Sequence, residues 1–524
     1  MKTNNNIFND DNRTINTVKA SFWGTTKSIF DIVLGFVYRT IFISILSADY
    51  LGLNGLFTNL LQVLSLAELG ITTAIVYRFY EPISKKDVFQ VGKLMNYLRI
   101  VYRNIASIIL LLGLIITPFI KWFIKDTDSI PKDVNIYVIY LLFLLNTVSS
   151  YLFIYKQTIL SADQRAYIVS FWGLIASLLK YFMQIAVLLV IKDYTISLLS
   201  GIIITIITNI IISKWTQVKY REIFDVCEDL NSDEKKEIIN DTKAVMFHKV
   251  GATVKTSTDS LVLSKFVSLS STGIYSNYSM IIIGLQSLIS QLLGNFVSSV
   301  GNAHVELEKK QNYSIYKKLL FIDLWISTVT VVCLYTLIND FIVVWIGEDF
   351  LFDRFTLIML CTQFYIIISR QINISYTNGC GLFARDKYRP IIEAFLNLFF
   401  SIIGVKLLGI VGVFIGTVIS SILTVCWREP IILYREEFNE SVWNYWKMYS
   451  SFVTCAIVFC ALEELFKLRI GFGSISFIFL LFESFVSFFL INFMLIILYR
   501  RKSEYSFMKL KIKSIIRKKL NKEA

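Results

Sequence analysis

Apolar runs long enough to cross a bilayer, about 20 residues each, follow one another along nearly the whole chain with short polar connections between them. They predict about 14 helical spans, at 17–46, 51–79, 92–120, 134–158, 166–191, 195–214, 243–266, 271–298, 316–346, 354–377, 388–407, 409–429, 447–466 and 473–499. Two of these runs carry a one-sided charged stripe. The first, TVKASFWGTTKSIFDIVLGFVYRTIFISIL, holds Lys27, Asp31 and Arg39 in its interior. At about 100° per residue the three charges fall within roughly 120° of one face. A charge at mid-bilayer depth costs roughly 2.5–3.5 kcal/mol on insertion scales. The stripe is therefore expected to face other charges, neighbouring helices or water. The second run, KAVMFHKVGATVKTSTDSLVLSKF, places His248, Lys255 and Asp259 within about 40° of arc, with the small Ala252 beside them. Two charged stripes, one opening each half of the chain, predict a central hydrophilic cavity.

The polar connections set the orientation. With the N-terminus inside, the inner connections hold most of the loop lysines and arginines, among them Lys85, Lys86, Lys93, Arg165, Lys235, Lys236, Arg385 and Arg389, together with the tail KLKIKSIIRKKLNK. That asymmetry predicts a multi-pass protein of the cytoplasmic membrane with both termini cytoplasmic. The basic tail, 500–524, is expected to lie on the anionic inner leaflet. The start, MKTNNNIFNDDNRT, is polar and does not read as a cleavable signal peptide.

Composition sharpens this only a little. The chain is 55% hydrophobic and 17% charged, where a soluble domain is about 25% charged. The net charge of +13 follows from basic inner loops, so no nucleic-acid partner is expected. Seven cysteines are scattered, mostly in the apolar runs, without a CxxC pair or a Cys/His cluster. They read as small buried hydrophobes, and neither a metal nor a cofactor is expected.

The halves repeat. ADYLGLNGLFTN (48–59) aligns with SSTGIYSNYSM through Gly52 and Gly273, an offset of 221, and ILSADQRAYIV aligns with LFARDKYRPII through Asp163 and Asp386, an offset of 223. Two landmarks with nearly one offset imply a duplication of six helices. The expected organisation is an N-terminal lobe at 1–214, a cytoplasmic linker with a surface helix at 215–242, a second lobe at 243–430, two further spans within 431–499 and the tail 500–524. The charges of FARDKYRP, which runs into Pro390 at a helix start, read either as a solvated, headgroup-facing loop or as a gate at the inner opening.

Three stretches carry a resemblance: 48–87, TDSLVLSKFVSLSSTGIYSNY at 258–278, and GCGLFARDKYRPIIEAFLNLFFSIIGVKLLGIVGVFIGTVIS at 379–420. They resemble the polysaccharide (O-antigen and capsule repeat-unit) flippases of the MOP superfamily, the Wzx-like branch. The resemblance implies an all-α polytopic fold of two six-helix lobes in a MATE-like arrangement plus two C-terminal helices. It also implies translocation of an undecaprenyl-diphosphate-linked oligosaccharide to the outer face, with membrane lipids and polysaccharide polymerase machinery as partners.

Such a cargo needs cations for its diphosphate. Arg39 offers a planar fork, Lys27 and Lys255 offer compact point charges, and Lys180 in LLKYFMQ joins them if its face turns inward. The alternative use of these residues is ion pairing, Lys27 with Asp31 at i+4. Asp31, Glu68 and Asp259 are candidates for a coupling cation or proton, each with a structural alternative, and His248 reads as a structural or cavity-wall histidine in preference to one that titrates near neutral pH. Asp323 and Glu393 also lie in spans, without an assigned role. A cation-coupled multidrug antiporter of the same superfamily is the competing function, and it predicts a more acidic cavity. A membrane enzyme is disfavoured, because every outer connection is short and none carries a carboxylate pair or metal cluster.

Overall fold

The computed structural model describes residues 13–68, 71–294, 308–386, 388–470 and 477–510, and among them it is helical throughout with no strand. The chain divides into two compact units, Met1–Ser276 and Asn277–Ala524. The first contains α1 (Arg13–Ile45), α2 (Ala48–Leu64), α3 (Ile71–Ser84), α4 (Val88–Ile116), α5 (Ile136–Ala162), α6 (Ala166–Val190), α7 (Tyr194–Lys219) and α8 (Ser232–Phe266). It ends within α9 (Leu269–Gly294). Helix starts follow local chemistry. Asp87, Asn135 and Asp193 precede α4, α5 and α7, and each side chain accepts the backbone N–H of Gln90 (2.9 Å), Tyr137 (3.0 Å) or Ile196 (2.8 Å). Such a cap is worth about 1 kcal/mol. Asn231 and Glu234 form a reciprocal capping box at the start of α8.

That box changes the reading of the middle of the chain. The surface helix expected within 215–242 and the span expected at 243–266 are one unbroken helix of 35 residues. Its polar first third packs along α3 and α4, where Arg78 pairs with Glu237 at 2.7 Å and Gln90 bonds Glu234 at 2.8 Å.

The core of the first unit is apolar and gathered between α2, α4 and α5, with Leu53, Phe57, Leu98, Ile109, Ile139 and Tyr140 sealed from solvent. α1 joins it only through its C-terminal part, at Phe42, and packs chiefly along α6. The contacts advance in step: Gly24 against Ser170, Gly173 against Lys27, Gly35 against Tyr181. Each pair is 146 positions apart, so the two helices run parallel.

The second unit holds the rest of α9, then α10 (Lys309–Ile346), α11 (Arg354–Ile368), α12 (Gln371–Gly379), α13 (Arg389–Leu408), α14 (Ile410–Leu423), α15 (Val425–Ile432), α16 (Trp443–Ile470) and α17 (Phe477–Tyr499). α10 is its axis, with α11, α16 and α17 packed around it. α13 and α14 form a hairpin that turns at Gly409, whose φ of 62° favours glycine. Their backbones approach so closely that a Cβ on Gly412 would lie 1.9 Å from the Gly404 carbonyl oxygen.

Eleven helices of the described residues are long and apolar enough to cross a membrane. They correspond to eleven of the expected spans. The other three take different forms. The span expected at 51–79 is divided into α2, a single turn at Ser65–Glu68 and α3. The one at 243–266 belongs to α8, whose polar composition sets it apart, and the one at 271–298 is α9 as far as Gly294.

Candidate functional site

The charged stripe of α1 does not face open surroundings alone. Lys27 Nζ lies 2.5 Å from Asp31 Oδ2, one turn along the same helix, and both side chains are about one-third exposed. The aliphatic end of Lys27 lies over Gly173 of α6, where Cε would be 2.7 Å from a Cβ. The other oxygen of Asp31 is sealed without a hydrogen-bond partner. From α6, Lys180 stands within electrostatic reach of both Asp31 and Lys27, and its ammonium sits 4.4 Å from the centre of the Tyr181 ring. Lys27 pairs with this carboxylate and Lys180 lies in its field, so the three side chains together are net positive.

Three turns beyond Lys27, Arg39 donates to Ser276 Oγ of α9. It also lies in the field of the Tyr38 and Tyr181 hydroxyls, whose rings sit 5.6 Å apart. Tyr38 and Tyr181 were not singled out as a pair from the sequence, since they are remote in the chain and meet only because α1 and α6 run parallel.

The second stripe lies on α8. Asp259 is 1% exposed and Lys255 is half-buried. Their helix is fastened to α2, where Asn59 Nδ2 donates to Ser260 Oγ at 3.1 Å and Ser257 Oγ donates to Gln62 Oε1 at 3.4 Å. The structure therefore brings Lys27, Asp31 and Lys180 together and carries Lys255 and Asp259 on a different helix. The side chains of Glu68, His248 and Ala252 lie outside the described residues.

The second unit contains a charge cluster that sequence reasoning missed. Arg370, which precedes α12, donates from Nε to Glu429 Oε2 at 2.9 Å. Arg389 reaches Glu429 at 3.3 Å and Glu393 at 3.0 Å, and also pairs with Asp386. Arg428 completes the set at 2.5 Å from Asp386. The carboxylates of Asp386, Glu393 and Glu429 are at most 7% exposed. Within the FARDKYRP turn, Asp386 and Arg389 are tied into buried ion pairs, while Arg385 and Tyr388 are exposed. The signal was present as three arginines and three carboxylates in a largely apolar stretch, but their convergence needs three helices and the turn at 382–386. At the aligned position of the first unit, Asp163 is 3% exposed. It accepts from Tyr220 Oη at 2.6 Å and pairs with Arg165 at 3.3 Å. Burial and the charge of Asp163 hold the Tyr220 phenol well above its ordinary value.

Among the described residues no group of His, Cys, Asp and Glu has the arrangement of a metal site. The arrangement is that of a multi-pass helical membrane protein whose buried charges lie within and beside its spans. No family model matches the chain, and no curated protein matches it. Solved structures do. An inward-facing multidrug resistance MATE family transporter of the MOP superfamily aligns with a TM-score of 0.62 at 14% identity, over 78% of this chain and 96% of that one. The lipid II flippase MurJ, in an inward closed conformation, aligns at 0.65 and 14%, over 91% of this chain and 98% of that one. A MOP superfamily transporter from Pyrococcus furiosus aligns at 0.51 and 13%, over 79% and 96%. The chain has the fold of the MOP-superfamily transporters, as a multi-pass membrane protein.

Proposed function

We propose that this protein is a flippase that moves an undecaprenyl-diphosphate-linked oligosaccharide repeat unit across the cytoplasmic membrane by alternating access. One observation carries this reading: the stripe on α1 and α6 is net positive, with Lys27 and Lys180 around the single carboxylate Asp31 and Arg39 further along α1. A diphosphate is the part of such a cargo that needs fixed cations. Arg39 supplies a fork for its oxygens, while Lys27 and Lys180 supply point charges. Lys255 serves the same anion from α8, and Asp31, Asp259 and Glu68 are the carboxylates that exchange a coupling cation. Asp31 suits that role in having one oxygen already paired and the other sealed without a partner. In this reading the termini are cytoplasmic, the halves 1–214 and 243–430 are joined through 215–242, and the flipped lipid passes to a polymerase. The similarity to MurJ over 91% of this chain supports a lipid-linked cargo.

The test is export of surface polymer in cells carrying Lys27→Ala, Arg39→Ala and the double variant, with membrane insertion checked in parallel. Export is expected to fall at least tenfold in the double variant. Unchanged export from a fully inserted double variant overturns the diphosphate clamp. Gain of resistance to organic cations on expression, with no effect on polymer, would instead assign the antiporter function.

A further inference from the structure

In the second unit α11 and α16 each pack along α10 but only sparsely against each other. The gap between them is a cleft of about 370 Å3, within the size range of small-ligand sites. Val331 of α10 forms its back, Ile358 and Cys361 of α11 one wall, and Ala456 and Cys460 of α16 the other. The short side chains at 456 and 460 leave α16 without the bulk to fill the space. Ile457, on the rim, is exposed, so the cleft opens sideways, toward lipid in a membrane. From Val453 to Glu464 it follows about three turns of α16. At 1.5 Å per residue that is about 16 Å, or roughly half of a hydrocarbon core about 30 Å thick. The cleft is therefore as deep as one leaflet.

Its two ends differ. One end is closed by the rings of Tyr365 and Tyr449, whose centres are 5.9 Å apart. The other carries two opposite charges side by side. Glu464 Oε2 accepts from the hydroxyl of Tyr335 and pairs with the guanidinium of Arg354, the first residue of α11. Both contacts fall on Oε2, and among the described residues Oε1 accepts from none. The Arg354 side chain is 54% exposed, and a guanidinium has five N–H donors to offer. The turn that leads into Arg354 adds Glu348, Asp349 and Asp353, so the surroundings of the mouth are not positive overall.

An apolar slot one leaflet deep, with a cation and an anion at its mouth, is complementary to an amphiphile of matching design. We propose that the cleft between α10, α11 and α16 holds one chain of a zwitterionic phospholipid with a phosphoethanolamine headgroup. The phosphate accepts from Arg354, and the ammonium donates to the open oxygen of Glu464. The acyl chain fills the slot and restores the contacts that its walls lack across the gap. A headgroup with a phosphate and no amine leaves Glu464 unanswered and meets the acidic turn at 348–353 as well, so the mouth selects against it. This site lies in the second unit and makes no use of the stripe on α1 and α6.

The experiment is native mass spectrometry of the purified, delipidated full-length protein, titrated with phosphatidylethanolamine or phosphatidylglycerol of identical chains. It needs no cargo, so its failure is distinct from failure of the flippase reading. The wild type is expected to retain one phosphatidylethanolamine at least tenfold more tightly than phosphatidylglycerol. Ala456→Trp, which fills the slot, is expected to lose that lipid, and Glu464→Gln is expected to abolish the preference between the two. Equal retention of both lipids by the wild type, or unchanged retention by Ala456→Trp, overturns the proposal. Displacement of the bound lipid by an equal concentration of undecaprenyl phosphate assigns the slot to an isoprenoid chain and also overturns it. If Ala456→Trp fails to fold, a preference unmoved by Glu464→Gln overturns it alone.

Discussion

Gly52 and Gly273 meet each other reciprocally where α2 crosses the start of α9. A Cβ on Gly52 would lie 2.1 Å from the carbonyl oxygen of Leu269, and a Cβ on Gly273 would lie 2.2 Å from that of Ala48. Each obstructing carbonyl sits four residues before the opposite glycine, so the contact has local two-fold symmetry. These are the two glycines that align the sequence repeat at an offset of 221. Gly55 and Ser276 share that offset and also touch, at 3.8 Å from the Cβ position to Ser276 Cβ. The repeated segment therefore packs against its own copy.

The crossing tolerates no side chain. Because the obstructing atoms are backbone, relief requires the helices to move apart. Gly52→Ala or Gly273→Ala is expected to destabilise by about 1–3 kcal/mol, as overpacking does, read as a lower unfolding temperature in detergent. Since both side chains would occupy one crossing, the double variant is expected to cost less than the sum of the singles. Gly284→Ala is the control, having nothing within 4 Å of its Cβ position.

Gly173 is expected to act through Lys27. A methyl group there would displace Cε of Lys27, which lies 2.7 Å away, and loosen the pair with Asp31. Gly173→Ala should reduce polymer export without loss of inserted protein, in the direction of Lys27→Ala but less severely. Arg39→Lys should not restore what Arg39→Ala removes, because a point charge does not reproduce the guanidinium fork.

Glu429 answers two arginines at once. Its removal leaves Arg370 and Arg389 buried with fewer partners, and truncating one member of a buried ion pair costs about 3–5 kcal/mol. Glu429→Ala is expected to lower the unfolding temperature sharply. Glu81→Ala, at the fully exposed pair with Lys85, is expected to leave it unmoved.

Tyr220 predicts a pH dependence outside the spans. Its phenol is held above its ordinary value in the folded protein by burial and by Asp163. In the unfolded chain a tyrosine ionises near about pH 10. Below that pH the stabilisation is fully present, and it is lost as pH rises further, by up to about 1.4 kcal/mol per unit. The stability difference between wild type and Tyr220→Phe is therefore expected to be constant through neutral pH and to shrink above about pH 10. A difference that stays level through that range contradicts the assignment.

The apolar runs settled most of the fold by themselves. Their length and recurrence give the class, and eleven of the expected spans are helical segments of sufficient length and hydropathy, because a span's limits follow from the bilayer and from backbone hydrogen bonding within the helix. The caps at Asp87, Asn135, Asp193 and Asn231 were equally local. So was the pairing of Lys27 with Asp31, one turn apart. What the tertiary structure decided was every charge whose partner is far along the chain. Lys180 reaches Asp31 only because α1 and α6 run parallel. The arginines of 370–428 are neutralised only where α12, α13 and α15 converge, and Asp323 finds amides only because α11 breaks beside it. A sequence shows that a charge lies in a greasy span and must be answered. Which group answers it depends on helix rotation and crossing, and these are fixed by packing among helices that hydropathy alone does not distinguish.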